Sequence, residues 1–230
     1  KSENPGKKSF LIGHSMGAMA VQSYGIEYPG DVDGIVSNGG GIFMNPWGRS
    51  TQYPQTIVAD NLTEKERNAS PALTKKLPLE SMTSYQSKLL PKALKDRRNF
   101  TAPSVTAASR TVRVKNPLSN GVCTDQAVVD DYVADPLNNK EFTVGMVEQM
   151  SVAQVYNAVN APDFTTPTLI MHGQSDGIAP PYLDINWLNA IGSNDKTGYE
   201  WSGLMHEIFN EPVKDQPINK VVDWINNHNK

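Results

Sequence analysis

One cysteine, Cys123, stands in the 230 residues, so no disulfide can form within the chain and no cysteine-based metal frame exists. With no histidine beside it in sequence, that thiol reads as a small packed residue. Positive charge is not in excess: 21 Lys and Arg face 24 Asp and Glu, a formal net charge of −3. Such a balance does not neutralise a phosphate backbone, and nucleic acid is not an expected partner. The one basic cluster, Lys88, Lys92, Lys95, Arg97 and Arg98, reads as a solvated helix face. No stretch approaches the roughly 18–20 consecutive apolar residues that a membrane-spanning helix needs. No charged-then-apolar leader follows Lys1, and the expected location is the cytoplasm, any signal preceding Lys1 being outside the sequence. With 38 % hydrophobic residues the chain is not a disordered polymer, and its length suits one large domain or a domain with an inserted subdomain.

What is present is a rhythm of short apolar runs and helical stretches. Ser9-Phe10-Leu11-Ile12 reads as a buried strand, and Gly13 to Gly17 as a tight turn. Ala18 to Tyr28 reads as a helix stopped by Pro29-Gly30, and Gly34 to Asn38 as the next strand. Strand, helix, strand in this span is a βαβ unit and implies a parallel sheet. The rhythm returns late, with strands at Thr168 to Met171 and Thr197 to Trp201 and helices at Pro181 to Ile191 and Pro212 to His228. In the last helix Ile218, Val221, Val222 and Ile225 form the expected apolar face. Between the halves lies a proline-interrupted stretch with no clear strand. Thr63 to Glu66 fits a capping box there, Thr124 could cap a helix through Ala134, and Thr143 another through Val159.

Gly13-His14-Ser15-Met16-Gly17 has the G-x-S-x-G pattern directly after a strand and before a helix. That placement turns a common motif into a candidate nucleophile turn. It sets Ser15 at a helix N-terminus, where the Met16 N–H can face a developing oxyanion. A serine hydroxyl needs a base, and the base an orienting acid. Of the four histidines, His14 diverges from Ser15 on the turn, His172 ends a strand in a structural position, and His228 lies at the C-terminus. His206 remains, in the loop between the last strand and the last helix, on the sheet edge where open α/β sheets bind ligands. Asp176, after the preceding strand, is the expected acid. Glu207, the competitor, is too close to His206 in sequence to bond it comfortably.

Three segments then resemble a known family: Gly13 to Gly17; Leu169 to Asp176, which reads Leu-Ile-Met-His-Gly-Gln-Ser-Asp; and Met205 to Pro212, which reads Met-His-Glu-Ile-Phe-Asn-Glu-Pro. They look like the α/β-hydrolase family, in its monoacylglycerol lipase and lysophospholipase group. Asp131 to Leu137 is similar to a family segment too, whereas Tyr53 to Asn116 is not matched. The resemblance implies Ser15, Asp176 and His206 as nucleophile, orienter and base, and the Met16 N–H as one oxyanion donor. It also implies a helical cap, an acyl-ester lipid substrate, no cofactor and no metal. The departure is at the front: family members carry four strands before the one ending at Ile12, and a His-Gly loop that supplies the second oxyanion donor.

The expected fold is therefore α/β, the C-terminal half of an α/β-hydrolase sheet, mostly parallel and flanked by helices, with a helical cap insertion. The expected parts are core at 1–42, cap at 43–160 and core at 161–230. A second polypeptide, or a segment preceding Lys1, would complete the sheet. Phe43, Met44 and Trp47, just after a strand on the catalytic edge, are candidates to line an acyl site, with Met146 and Met150 on one face of a later helix. The alternative is that these apolar residues form the cap's own core. The expected function is cleavage of acyl-lipid esters, with at most transient contact to a membrane or micelle surface. A small-ester esterase, a thioesterase and a non-catalytic acyl-binding remnant are the alternatives.

Overall fold

The structure, a computed structural model, describes residues 4–47, 57–58, 83–101, 103–116 and 122–230. Strand β1 (Phe10–His14) leads into α1 (Met16–Glu27) and β2 (Gly34–Asn38). The short strand β3 (Ile57–Val58) precedes α2 (Ser84–Lys95), α3 (Ala107–Thr111), β4 (Arg113–Lys115), α4 (Gln126–Ala134), β5 (Glu141–Thr143) and α5 (Val144–Asn160). The chain closes with β6 (Thr168–Gly173), α6 (Tyr182–Ala190), β7 (Lys196–Trp201) and α7 (Asp215–His228).

The main sheet runs β1-β2-β6-β7-β3, and every pairing in it is parallel. A parallel sheet is covered by helices on both faces, so its central strands are apolar throughout rather than alternating. Every residue of β2 and β6 is buried. Alternate side chains then serve two cores. Ile35 and Ile170 join Ile26, Phe164, Ile185 and Trp187 on one face, while Val36 and Leu169 join Met171, Trp201 and Trp224 on the other. Strand β1 lies at the end of the order, and Ile12 is 55 % exposed there.

The middle of the chain is more varied than its sequence suggests. Helix α2 packs on α5 through Leu89, Ala93, Val152, Val155 and Val159. Strands β4 and β5 pair as a separate antiparallel ribbon, and β3 joins the main sheet beside β7. The expectation of a stretch without strands is thus corrected. Runs of two or three residues are too short to show a period of two. Thr143 caps α5 as expected, but Asp125, not Thr124, caps α4. The capping box at Thr63 lies outside the described residues. On α7 the buried face is Pro217, Val221 and Trp224, while Ile218 and Val222 are exposed. Phe10 meets Trp224 edge-on, and burying that large ring turns the helix away from the smaller aliphatic stripe. Among the described residues no helix is long and apolar enough to cross a membrane.

The two glycines of the pentapeptide have different duties. A Cβ on Gly13 would lie 2.3 Å from the Gly17 carbonyl oxygen, whereas a Cβ on Gly17 would meet nothing within 4 Å. Only Gly13 is required for the close approach of strand and helix. Gly13→Ala is expected to destabilise the fold by about 3 kcal/mol, because backbone must move. Gly17→Ala should be neutral or stabilise by about 0.5 kcal/mol, from the backbone entropy of glycine. Urea midpoints of the two variants measure the contrast, and equal losses would contradict it.

Candidate active site

Ser15 sits between β1 and α1 with φ 55 and ψ −119. It is the one non-glycine residue with positive φ among those described. Such a conformation costs on the order of 1–3 kcal/mol and persists only where its surroundings fix it. Here the Ser15 N–H donates to the Asn38 carbonyl at 2.9 Å, and the Ser15 carbonyl accepts from Ala18 N–H at 3.0 Å. Although Ser15 is the N-cap residue of α1, its hydroxyl makes no capping bond. The hydroxyl is left available, with the Met16 N–H in the first turn of the helix behind it.

Asp176 and His206 come together as expected. The His206 Nδ1–H donates to Asp176 Oδ2 at 2.7 Å, and both residues are buried. Asp176 Oδ1 accepts from the Ile178 and Ala179 N–H groups at 2.8 and 2.9 Å. His206 Nε2 is buried with no hydrogen-bond partner. The pair lies beside the Ser15 turn. Gly39, next to the Asn38 that holds Ser15, packs so closely that a Cβ there would sit 3.1 Å from His206 Cε1. The His14 ring, adjoining Ser15, is 4.6 Å from the His206 ring, centroid to centroid. Glycine also lets the two loops meet: a Cβ on Gly173 would lie 2.0 Å from the Met205 carbonyl oxygen. Glu207 bonds Asn210 instead of His206.

His172 is no isolated strand-end residue. Its Nδ1 lies 2.6 Å from Asp184 Oδ2, and its Nε2 lies 2.6 Å from the Ala179 carbonyl and 3.1 Å from Asp176 Oδ2. Burial opposes a charge on His172, but bonds to Asp176 and Asp184 outweigh it and push the pKa up to about 10. Burial likewise raises Asp176, but bonds from His172 and His206 hold its carboxyl well below the usual range. Asp184 is pushed up by burial despite its bond to His172, which pulls against a charged pair. Asp176, fixed by four donors, sits against the other ring nitrogen and tips the shared proton to the imidazole.

Glu211 was not singled out by sequence reasoning. It is fully buried, and its Oε1 accepts from the Met205 N–H at 2.7 Å while its Oε2 accepts from the Thr124 N–H at 3.0 Å and from the Thr124 hydroxyl. The Glu207 N–H donates to the Val122 carbonyl at 2.7 Å. The histidine loop is thereby fastened to the start of α4. The only signal in the sequence was a lone acid five residues after His206, which no local pattern marks.

Phe43 and Met44 line a small cavity with Gln86, Gln154 and Val155 from α2 and α5. The other three candidates for acyl contact are not part of that lining. Trp47 donates its Nε1–H to the Ala158 carbonyl at 3.1 Å and lies under Arg97. Met146 and Met150 are half-buried in the first turns of α5. Among the described residues no group of three or more His, Cys, Asp or Glu is arranged to hold a metal ion.

Burial, with repulsion from His206 as a smaller cause, lowers His14 from 6.5 to about 4. A base whose pKa is depressed by folding contributes stability that is present above its unfolded pKa and lost as pH falls toward the folded one. Between pH 6.5 and 4 the loss from His14 should reach about 3 kcal/mol. His14→Gln, which keeps a partner for Asn38, should flatten the fall of the urea midpoint over that window. An unchanged slope would contradict the assignment.

Comparison with known proteins gives the family and the fold. Residues 1–213 match the model of the Hydrolase_4 family, described as serine aminopeptidase, S33. The monoacylglycerol lipase of Mycolicibacterium smegmatis is 24 % identical over 99 % of this chain and 65 % of its own length. The phospholipase YtpA of Bacillus subtilis is 27 % identical over 47 % of this chain and 45 % of its own length. The crystal structure of the Paleococcus ferrophilus monoacylglycerol lipase superposes with a TM-score of 0.64 at 21 % identity, covering 98 % of this chain and 71 % of that one. The chain spans less than two thirds of the length of the curated relatives it matches. With a strained serine turn, a parallel sheet flanked by helices and a family match over nearly its whole length, the chain belongs to the Hydrolase_4 family and has the α/β-hydrolase fold.

Proposed function

We propose that the chain is a serine hydrolase of carboxylic esters whose substrates are acyl lipids, monoacylglycerols or lysophospholipids. The observation that carries the reading is the buried Asp176–His206 bond beside a serine held at positive φ. Asp176 fixes His206 with Nδ1 protonated and leaves Nε2 as the base. His206 takes the Ser15 proton as Oγ attacks the ester carbonyl. The Met16 N–H stabilises the oxyanion, and His206 then protonates the departing alcohol. Water repeats the sequence on the acyl-enzyme. The similarity to a monoacylglycerol lipase and to a phospholipase supports the choice of substrate class. Within this reading residues 1–42 and 161–230 form the core and 43–160 the cap, except that β3 of that span joins the core sheet; the cavity at Phe43 and Met44 is the proposed acyl site.

Two experiments test the reading. A fluorophosphonate should label Ser15 in the wild-type protein. Ester hydrolysis should vanish in Ser15→Ala and fall on the order of 10⁴-fold in Asp176→Asn, where the imidazole tautomer is lost. Full activity in Ser15→Ala would sink the reading. On a series of p-nitrophenyl esters, Met44→Trp should lose long acyl chains by about tenfold or more while short chains are spared, since the cavity admits less bulk. An unchanged chain-length profile would place the acyl site elsewhere.

A further inference from the structure

Behind the Asp176–His206 pair lies a second buried imidazole that the proposed mechanism does not use. His172 and Asp184 are each 3 % exposed, as is His206, and Asp176 is 4 % exposed. Oδ2 of Asp176 stands between two rings, 2.7 Å from His206 Nδ1 and 3.1 Å from His172 Nε2. The Ala179 carbonyl, 2.6 Å from His172 Nε2, has only lone pairs to offer, so Nε2 must carry a proton. On the other side Nδ1 faces the Asp184 carboxylate at 2.6 Å. A ring with acceptors at both nitrogens is satisfied completely only as an imidazolium.

We propose that His172 is a positioning residue, a buried imidazolium that shares Asp176 Oδ2 with His206 and keeps His206 available as a base at lower pH than a simple Asp–His pair would. The proposal rests on the reading of His206 as the general base. Its logic is charge balance. A lone aspartate favours the protonated form of a neighbouring histidine. A cation on the far side of the same carboxylate oxygen removes much of that preference. The strong upward displacement of His172 to about 10 supports the cationic form. Other groups around the cluster act from every side. Asp184 comes from α6. Glu200 and Tyr199 of β7 line a small cavity with His172 and Asp184, and His14 approaches from β1. Glu200, the register partner of His172, is buried on that face.

The fold uses the same contacts mechanically. His172 belongs to β6, Ala179 and Asp176 to the loop after it, and Asp184 to the first turn of α6. One ring thus pins strand, loop and helix, and the acid loop cannot shift without breaking a bond to it. A merely structural peg would account for lost stability on substitution. It would not account for a displaced pH profile.

The test uses His172→Gln, which keeps a donor for Asp176 and Ala179 but carries no charge. The double variant His172→Gln with Asp184→Asn leaves no unpaired buried carboxylate and guards against misfolding of the first. Ring-nitrogen ¹⁵N NMR of the histidines, assigned by substitution, reads the wild-type state of His172 directly. Both of its nitrogens should be protonated from pH 6 to 8, on the expectation that a partnered imidazole titrates well above its roughly 6.5 reference. In the variants the acid limb of kcat/KM should move up by about one pH unit. A neutral His172 at pH 7, or an unmoved acid limb of kcat/KM in both variants, overturns the proposal. Failure of the wild type to hydrolyse esters or react with a fluorophosphonate would overturn the reading of the site instead, and the NMR result would still decide the charge on His172.

Discussion

Parallel pairing of β1, β2, β6 and β7 sends four strand ends to one edge of the sheet, and every group of the candidate site hangs from those ends. Ser15 follows β1, Asn38 and Gly39 close β2, Asp176 follows β6, and His206 follows β7. An antiparallel arrangement would scatter the same residues over two edges. The loops can then meet because glycine stands at the close contacts: Gly13 against the Gly17 carbonyl, Gly39 against the His206 ring, and Gly173 against the Met205 carbonyl. Among the described residues Ser15 alone of the non-glycine residues has positive φ, and its neighbours hold it on both sides.

The second constraint is the burial of ionisable groups. Asp176, His172, Asp184, His206, Glu200 and Glu211 are all nearly inaccessible, and a charge in such a place is tolerated only with partners. Asp176 receives two N–H groups and two imidazoles. Glu211 receives the backbone of Met205 and Thr124. These bonds link the acid loop, the histidine loop and α4 into one network. The site and the start of α4 therefore share their supports.

The sequence made the site legible where spacing carries chemistry. The pentapeptide, the strand-to-loop position of Asp176 and the loop position of His206 were all readable, and the structure joins the latter two by a short bond. The parallel sheet followed from the βαβ rhythm. What could not be read depended on distant partners. Glu211 acquires its meaning from Thr124, far away in the chain. Thr124, which has the right residue type for a helix cap, spends its hydroxyl on Glu211, so Asp125 takes the cap. His172 read as structural because nothing local shows that Asp184 and Asp176 converge on its ring. The ribbon of β4 and β5 is set by pairing across the insertion, and three residues such as Arg-Val-Lys carry no pattern of their own.

The central claim is that Ser15 is acylated because His206, oriented by Asp176, removes its proton. The most direct measurement is acid quenching of the protein during turnover of a long-chain monoacylglycerol, followed by peptide mass spectrometry. The account predicts that the peptide containing Ser15 carries the acyl mass, and that His206→Ala leaves it unmodified. An acyl group on another residue, or turnover with no acylated peptide at any quench time, would contradict it.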